Sequence, residues 1–540
     1  MCYAGIATIN AQNTQYTNIM VTSMKMKTAI SALVLGAAAL SVNAQVAEFK
    51  PAGKVGDWSD LGSWTNNPAT ASQSHVRGYN TANVTTEASA KALLIGCDPN
   101  ANATGTVRIF SDGTLTVSSS FEMGGRYNSS TLHSIGTGNL IIDGGSFVAD
   151  GMNAANFKLG AYTGSTANIN IYDGSFSANL SGDAAFGTSD CTSNLTQTGG
   201  TSYFGSSTGT ATFQMTSAKI TGGTLNLTGA TSATFASKSL EVSGGTVTSD
   251  SSTAFVQDNM DVSDGVVDFS SQTYVYVGYA DGSNTNITLS GGTMKLGGAN
   301  TKVVGFGGNR WAAVSSDVSF TQTGGTLVFA CSNGDGDCIS LNSTTKADNA
   351  SKVTFKFLGG KVEASVKIGF YLGSNAAGSK SSTLIVFGKD ADFNISSALH
   401  WRRNANIQFN LDGVRMTSLT DSNFSAKSFG NVWLSSGDDF ANSHFIVDAS
   451  GFGAQDALEK GDVVSIALFV VSNVLDSAKV ESLLSFCEIK GLDTNFWENA
   501  SLSFSDKTLY FNATYVPEPS TYAAIFGAVA LALAVWRRRK

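Results

Sequence analysis

The residues with the most distinctive chemical character lie at the C-terminal end of the chain. A Pro517-Glu518-Pro519 triplet precedes an uncharged apolar run, 522–536, and the chain closes with Arg537, Arg538, Arg539 and Lys540. The two prolines prevent a strand or helix from continuing, so the triplet is expected to be a stiff, exposed segment. The apolar run can enter a bilayer as a helix, and the basic end is expected to stop transfer and stay on the cytoplasmic side. The protein before the tail would then lie outside the cytoplasm.

The apolar run is short for a permanent anchor. As a helix it spans roughly 22 Å, less than the ~30 Å hydrocarbon core of a bilayer. This length favours a signal that is processed, and a plain membrane anchor is the alternative.

A second candidate site is the polar and aromatic segment His400-Trp401-Arg402-Arg403. Arginine and a stacking tryptophan can contact an acidic polysaccharide, whereas an exposed loop with ordinary charges is the alternative. The other histidines, His75, His133 and His444, are scattered. No motif of a serine, cysteine or zinc hydrolase is present, so no catalytic residue, metal or cofactor is expected.

The cysteines favour a small disulfide loop over a metal site. Six are present, and none forms a CxxC pair. Cys331 and Cys338 flank a short polar segment, which predicts a disulfide-closed loop in an oxidising compartment. Asp335 and Asp337 within it are two carboxylates, fewer ligands than calcium usually takes, so a surface turn is favoured there.

The N-terminal end has the layout of a secretory signal peptide. Lys25 and Lys27 precede an apolar stretch, 29–40, and small residues lead to a cleavage site between Ala44 and Gln45. The signal predicts export through the Sec translocon. The polar leader before Met24 suggests that the true start is Met24 or Met26.

Composition narrows the class of protein. Charged residues make up 14 %, well below the ~25 % of ordinary globular proteins, while there are 58 glycines and only 5 prolines. Together with 10 % aromatic residues, this is typical of a turn-rich β protein rather than a disordered one. The net charge of −8 disfavours nucleic acid as a partner.

A short sequence unit recurs through the middle of the chain. It predicts the strands and turns that position the candidate residues named above. Each copy is an alternating strand, a Gly-Gly or Asp-Gly pair, and then Thr or Ser with an apolar residue, as at 143–147, 221–225, 290–294 and 323–327. Glycine accepts positive φ and turns the chain, and stacked units bury the face that one unit cannot bury alone. The spacing of about 20–35 residues is typical of a solenoid. An array of β-sandwiches with a hairpin at each Gly-Gly is the alternative.

The predicted fold is all-β: a right-handed parallel β-helix solenoid with a small β-rich C-terminal cap and a C-terminal transmembrane sorting helix. The predicted domains are a leader and signal peptide at 1–44, an N-terminal cap at 45–90, β-helix repeats at 91–440, the β-rich cap at 441–515 and the sorting signal at 516–540. Trp58 and Trp64 are expected to close the open end of the solenoid, with a carbohydrate platform as the alternative. In the C-terminal cap, strands are predicted at 445–448, 463–471 and 508–511 and a helix at 478–486.

The tail resembles the PEP-CTERM sorting signal, on the Pro517-Glu518-Pro519 triplet, the apolar run and the arginine cluster. The Gly-Gly repeats resemble those of autotransporter passenger regions and of other PEP-CTERM proteins. The first resemblance implies that an exosortase-type membrane protease recognises the triplet and cuts the chain near it.

Three functions follow as hypotheses. The favoured one is a secreted, surface-sorted structural or adhesive protein of the extracellular matrix, with exopolysaccharide as a candidate partner. The second is a β-helix enzyme that acts on polysaccharide as a lyase or hydrolase, and the third is a passive surface anchor or coat subunit. Repetition without a singular polar cluster favours the first over the second.

Overall fold

The structure is a computed structural model. It describes residues 45–516 and 519–539, apart from gaps at 52, 98–102, 130–131, 161–162, 308–313, 332–337, 343–345, 367–368, 375, 435–441, 473–474 and 476. The described part of the chain is all-β apart from two α-helices and two short 3₁₀ turns, which are α1 (Ser477–Ser485), α2 (Pro519–Arg538), η1 (Leu61–Ser63) and η2 (Ala154–Asn156).

The strands are numbered in chain order. In the first half they are β1 (Val46–Glu48), β2 (Val55–Asp57), β3 (Gln73–Val76), β4 (Asn80–Val84), β5 (Glu87–Ile95), β6 (Ala103–Phe110), β7 (Thr114–Met123), β8 (Arg126–Ser129), β9 (Leu132–Ser134), β10 (Gly136–Val148), β11 (Phe157–Leu159), β12 (Thr166–Leu180), β13 (Ala184–Phe186), β14 (Thr192–Gln197), β15 (Thr201–Ser206), β16 (Ala211–Phe213), β17 (Ser217–Ile220), β18 (Thr224–Gly229), β19 (Ala233–Phe235), β20 (Leu240–Thr248), β21 (Thr253–Val256) and β22 (Met260–Phe269). In the second half they are β23 (Tyr274–Val277), β24 (Asn284–Leu289), β25 (Thr293–Leu296), β26 (Val303–Phe306), β27 (Asp317–Gln322), β28 (Thr326–Cys331), β29 (Ile339–Leu341), β30 (Lys352–Val366), β31 (Phe370–Leu372), β32 (Ser382–Trp401), β33 (Ala405–Asn410), β34 (Lys427–Leu434), β35 (Phe445–Asp448), β36 (Val463–Val471), β37 (Cys487–Lys490), β38 (Trp497–Ser505) and β39 (Thr508–Tyr515).

These strands stack as coils, and their parallel pairings form three long faces. Sheet A precedes the glycine turn of each coil and joins β2, β4, β6, β10, β12, β14, β17, β20, β22, β24, β27, β30, β32, β33, β35 and β37. Sheet B follows that turn and joins β5, β7, β10, β12, β15, β18, β20, β22, β25, β28, β30, β32, β34 and β36. Sheet C contains β1, β3, β5, β7 and β11, then β13, β16, β19, β21, β23, β26, β29, β31, β32 and β34.

The parallel stacking predicted from the repeats is confirmed, and the alternative of a hairpin at each Gly-Gly pair is wrong. Parallel pairing also extends beyond the span 93–413 in which it was expected, from β1 to β37. The right-handed sense of the coil stays a prediction.

The glycine turns lie directly above one another between sheets A and B. Gly200, Gly223, Gly292 and Gly325 have φ between +64° and +71°, the left-handed region that glycine adopts most easily. A Cβ built on Gly223 would lie 2.3 Å from the carbonyl oxygen of Gly200 in the coil below. The turn therefore needs glycine for its backbone angle and for the close approach of the next coil.

The core is a column of aromatic rings between the three sheets. Phe147, Phe176 and Phe204 follow one another along sheet B, with ring centroids 5.2 Å and 4.8 Å apart. Phe186 and Phe213 of sheet C pack against Phe204 at 5.0 Å and 5.2 Å. Alternation along each strand points these rings inward, and an asparagine ladder marks the outer face of sheet A. There, Asn194 donates to Asn168, which donates to Asn139, each at 2.9 Å.

The N-terminal end is closed by tryptophan, as predicted. Trp58 and Trp64 are 3 % and 6 % exposed, and their rings meet edge to face at 4.8 Å. The indole nitrogen of Trp64 donates to the Trp58 carbonyl at 3.0 Å, and Phe49 packs against Trp64. Because both indoles are buried, the alternative of a carbohydrate platform on these rings is wrong.

The C-terminal end changes from parallel to antiparallel pairing. β39 lies between β36 and β38 and pairs antiparallel with both. β35 and β36 have the bounds predicted for them, and α1 begins and ends one residue before the predicted helix.

Candidate functional site

The sorting residues of the C-terminal tail lie at and beyond the ends of helix α2. Pro519 is the first residue of α2, and Arg537 and Arg538 are in its last turn, followed by Arg539. Pro517, Glu518 and Lys540 lie outside the described residues. Side chains from Phe526 to Arg539 are all exposed, so this apolar part of the helix makes no close packing with the solenoid.

The expectation that this helix spans a membrane is not supported. Among the helices in the described part of the chain, none is both long enough and apolar enough to cross a bilayer.

The predicted signal cleavage site lies at the boundary of the structure. Ala44 is outside the described residues, and Gln45 is the first described residue. The Gln45 carbonyl accepts hydrogen bonds from the Ser72 amide and hydroxyl, each at 2.9 Å, so the first coil begins at once after the predicted cut.

The predicted disulfide is confirmed. Cys331, at the end of β28, is bonded to Cys338, which precedes β29. The calcium alternative at Asp335 and Asp337 falls outside the described residues. Where the structure is described, no group of three or more His, Cys, Asp and Glu side chains is placed to hold a metal ion.

The segment His400-Trp401-Arg402-Arg403 is divided between the core and the surface. Trp401 is fully buried, packs on Phe445 at 4.3 Å and donates its indole hydrogen to the Ala405 carbonyl at 2.7 Å. The expectation that Trp401 stacks on a polysaccharide is therefore wrong, because alternation along β32 turns it inward and His400 outward.

The outward side chains instead form an aromatic ladder on sheet C. His400 stacks on Tyr371 with centroids 4.2 Å apart and on Trp433 at 5.7 Å, both at an interplanar angle of 13°. The Arg402 guanidinium lies 4.6 Å from the Tyr371 ring centre. Trp433 is 57 % exposed and stands on the last strand of sheet C. Sequence reasoning missed Trp433, although its alternation with Val432 in β34 was a usable signal.

A second aromatic cluster lies on the same face, lower in the solenoid. Phe255, Tyr274 and Tyr279 surround Tyr276 with centroids 4.8–6.0 Å away. Burial, with the neighbouring tyrosines, raises the pKa of Tyr276 to about 12, so its hydroxyl stays protonated. The Tyr276 ring also covers Gly305 of the next coil, which assigns the cluster a packing role.

Two of the free cysteines, Cys191 and Cys487, do not have the character of nucleophiles. Burial raises the pKa of the Cys487 thiol to about 12 and raises that of Cys191 as well. A thiol that stays protonated is a poor nucleophile and a poor metal ligand.

Lys427 is a buried cation that the sequence did not reveal. It is fully buried at the start of β34, its Nζ donates to the Ala391 carbonyl at 2.5 Å, and it lies 4.5 Å from the Phe424 ring centre. Burial lowers the pKa of Lys427 to about 7, although Asp392 and Asp390 oppose that shift. The lysine therefore loses its proton far more easily in the folded state than in the unfolded one.

Replacement of Lys427 by methionine should change how stability depends on pH. The unfolded chain binds the proton up to about pH 10.5 and the folded chain only up to about pH 7, so wild-type stability should rise between these values. Below pH 7 the cost of burying the charge is fully present. Lys427→Met should be the more stable protein at pH 6, by a few kcal/mol. Its advantage should shrink by pH 10.

Urea midpoints of both proteins at pH 6, 8 and 10 check this prediction. Lys380→Met, which removes a lysine from the exposed surface, is the control and should leave the pH profile unchanged. Parallel profiles for wild type and Lys427→Met would show that the lysine is solvated in the folded protein.

Comparison with known proteins identifies no relative. No family model, no curated protein and no solved structure matches the chain.

Proposed function

We propose that this protein is exported and sorted to the cell surface, where it acts as a structural or adhesive component of the extracellular matrix. The observation that carries the proposal is the stack of parallel coils from β1 to β37, which forms a rod with long outer faces. Such a rod suits a spacer or an adhesive surface, because each coil contacts only its neighbours and the outer residues can vary without disturbing the core.

Two features of the chain support export. The Cys331–Cys338 disulfide is the kind of bond that persists in oxidising compartments and is rare in the cytosol. Helix α2 exposes Phe526, Leu531 and Trp536, each more than half exposed. A helix that exposes large apolar side chains on all sides next to arginines suits contact with a membrane or a membrane protein rather than with water.

The resemblance of the tail to PEP-CTERM signals supports a specific processing step. The proposed sequence is export through the Sec translocon, loss of the signal peptide between Ala44 and Gln45, and cleavage near Pro517-Glu518-Pro519 by an exosortase-type protease. Arg537, Arg538, Arg539 and Lys540 would hold the tail at the cytoplasmic side until the cut. In this scheme the triplet is recognised and performs no catalysis itself.

Changing the triplet to three alanines should block processing in cells that carry an exosortase. We expect an uncut precursor in the membrane fraction, whereas the wild-type protein reaches the surface with a shorter C-terminus. Mass spectrometry of the termini measures both cuts at once. The matched control changes Ser520 and Thr521 to alanine, which leaves the triplet intact and should be processed normally.

Removal of the four basic residues tests the second part of the signal. Without them, some full-length chain should escape into the medium. If the triple-alanine protein reaches the surface with the wild-type mature mass, the triplet has no role in sorting and the tail is only an anchor.

A further inference from the structure

A cleft opens beside the N-terminal cap, on the outer face of sheet B. Its volume is about 540 Å³, within the range of ligand-binding clefts. It is lined by residues of the cap, among them Trp58, Ser59, Leu61 and Asn67. It is also lined by residues of β5 and β7. All the lining residues belong to the described part of the chain.

Four polar side chains converge on the cleft from β5 and β7. Glu87 lies beside Thr114, and Ser89 lies beside Thr116, in neighbouring parallel strands. Residues two apart on a strand are separated by roughly 6.7 Å and paired strands by about 4.8 Å, so the four form a small rectangle of donors and acceptors. A rectangle of this size is comparable with one pyranose unit.

These four side chains have no hydrogen-bond partner among the described residues. Outward polar residues elsewhere on the rod are often paired with the coil above or below. Lys219 bonds Glu241 at 2.9 Å, and Lys295 bonds Asp268 at 2.8 Å. Outward threonines elsewhere on sheet B, such as Thr201 and Thr224, are also unpaired among the described residues, so the distinguishing feature of the four is the cleft in which they lie.

The cap loop supplies complementary groups. Leu61 is 56 % exposed at the rim, an apolar surface against which the C–H face of a sugar can pack. The Asn67 side-chain oxygen accepts from the Ala69 amide at 2.9 Å, which fixes the orientation of the side chain. Hydroxyl, amide and carboxylate groups around an apolar patch are the mixture that binds a polyhydroxylated ligand.

The charge of the residues that line the cleft favours a neutral ligand over an anionic one. Glu87 is the one charged residue among those that line the cleft, and no lysine or arginine lines it. A uronic acid or a sulfated sugar would meet a carboxylate without a cation to pair with, whereas a carboxylate can accept hydrogen bonds from two neighbouring hydroxyls of a neutral sugar.

We propose that this cleft binds a neutral polysaccharide, with Glu87, Ser89, Thr114 and Thr116 as its hydrogen-bonding groups and Leu61 as its apolar contact. The proposal rests on the adhesive function proposed above and specifies its ligand class. It places the contact at the N-terminal end of the rod, the end farthest in sequence from the sorting tail.

Affinity electrophoresis of the purified protein tests the proposal. The gels contain dextran, hydroxyethyl cellulose or galactomannan as neutral polymers, alginate as an anionic polymer, and casein as an extended polypeptide. At least one neutral polymer should retard the wild-type protein, and alginate and casein should not. Glu87→Ala should weaken the retardation at least tenfold.

A matched pair of tryptophan variants separates the cleft from the rest of the surface. Ser89→Trp fills the cleft and should abolish retardation, while Thr201→Trp places the same side chain on an exposed outward position of sheet B and should bind as wild type. Thermal melting of each variant establishes that it is folded.

Several results would overturn the proposal: no retardation by the neutral polymers, retardation by alginate or casein alone, or full binding by Ser89→Trp. The binding assay does not depend on export, so its failure with normal tail processing rejects the cleft assignment alone. Conversely, the wild-type protein could bind a neutral polymer while the triple-alanine variant is still processed normally. That result would reject the sorting scheme and leave the cleft assignment standing.

Discussion

Gly223→Val is expected to destabilise the solenoid by roughly 3–5 kcal/mol, because it combines backbone strain with a steric clash. Gly223 has a φ of +71°, and valine is among the residues least able to adopt that angle. Its Cβ would also lie 2.3 Å and 2.5 Å from the carbonyl oxygens of Gly200 and Gly199. Those atoms belong to the backbone of the coil below and cannot move without breaking pairing in sheets A and B.

Because a repeat protein of this length need not unfold in one step, the effect is best measured locally. Hydrogen exchange of amides in β17 and β18 should accelerate strongly in Gly223→Val, while amides in β35 change little. Gly453→Val is the control, since Gly453 lies outside the left-handed region and a Cβ added there would meet no atom within 4 Å. Equal protection of β17 and β18 in wild type and Gly223→Val would contradict the assignment of strain.

Gly245, although it occupies the same place in the repeat, should respond less. Its φ lies outside the left-handed region, and the nearest atom to an added Cβ is the Ile220 side-chain methyl at 2.5 Å. The positive φ that the condition for strain requires is therefore present at Gly223 and absent at Gly245, where β20 continues through the turn.

Phe204→Ala is expected to cost roughly 3–5 kcal/mol through the cavity it leaves. Phe204 is fully buried and contacts Phe176, Phe186 and Phe213 with centroids 4.8–5.2 Å away, so one deletion removes ring contacts within its own coil and with the coil before it. Phe204→Leu, which keeps most of the volume, should lose far less.

Limited proteolysis measures this loss, with cleavage expected to begin near residues 176–213. Phe255→Ala is the matched control, since Phe255 faces outward and is only partly buried. Similar protease resistance of Phe204→Ala and Phe255→Ala would show that the aromatic column does not hold the coils together.

The fold was largely predictable because its pattern is local and repeated. Alternation along a strand such as β12 identifies the buried face, and a glycine pair followed by threonine marks each corner. The bounds of β35 and β36 followed from continuous runs of β-branched and aromatic residues. Each of these signals is contained within one coil.

The candidate site was less predictable, because it depends on which residues of different coils become neighbours. His400 and Trp433 lie one coil apart, and only the pairing of β32 with β34 brings them together. Lys427 likewise lies beside Phe469 of β36, the last strand of sheet B, a residue distant in the sequence. The cleft beside β5 arises from a cap loop that folds back over the sheet, which no spacing in the sequence indicates.

The antiparallel end of the rod has a mechanical consequence if the tail is tethered. A load applied at the membrane enters the folded protein at Tyr515, the last residue of β39, and must first detach this strand from β36 and β38. Each released residue lengthens the tether by roughly 3.3 Å. Because every coil contacts only its neighbours, tension then unwinds the rod from the tethered end, while the distal coils stay folded. Under load, the C-terminal strands would thus unfold before the N-terminal coils, which carry the proposed binding cleft.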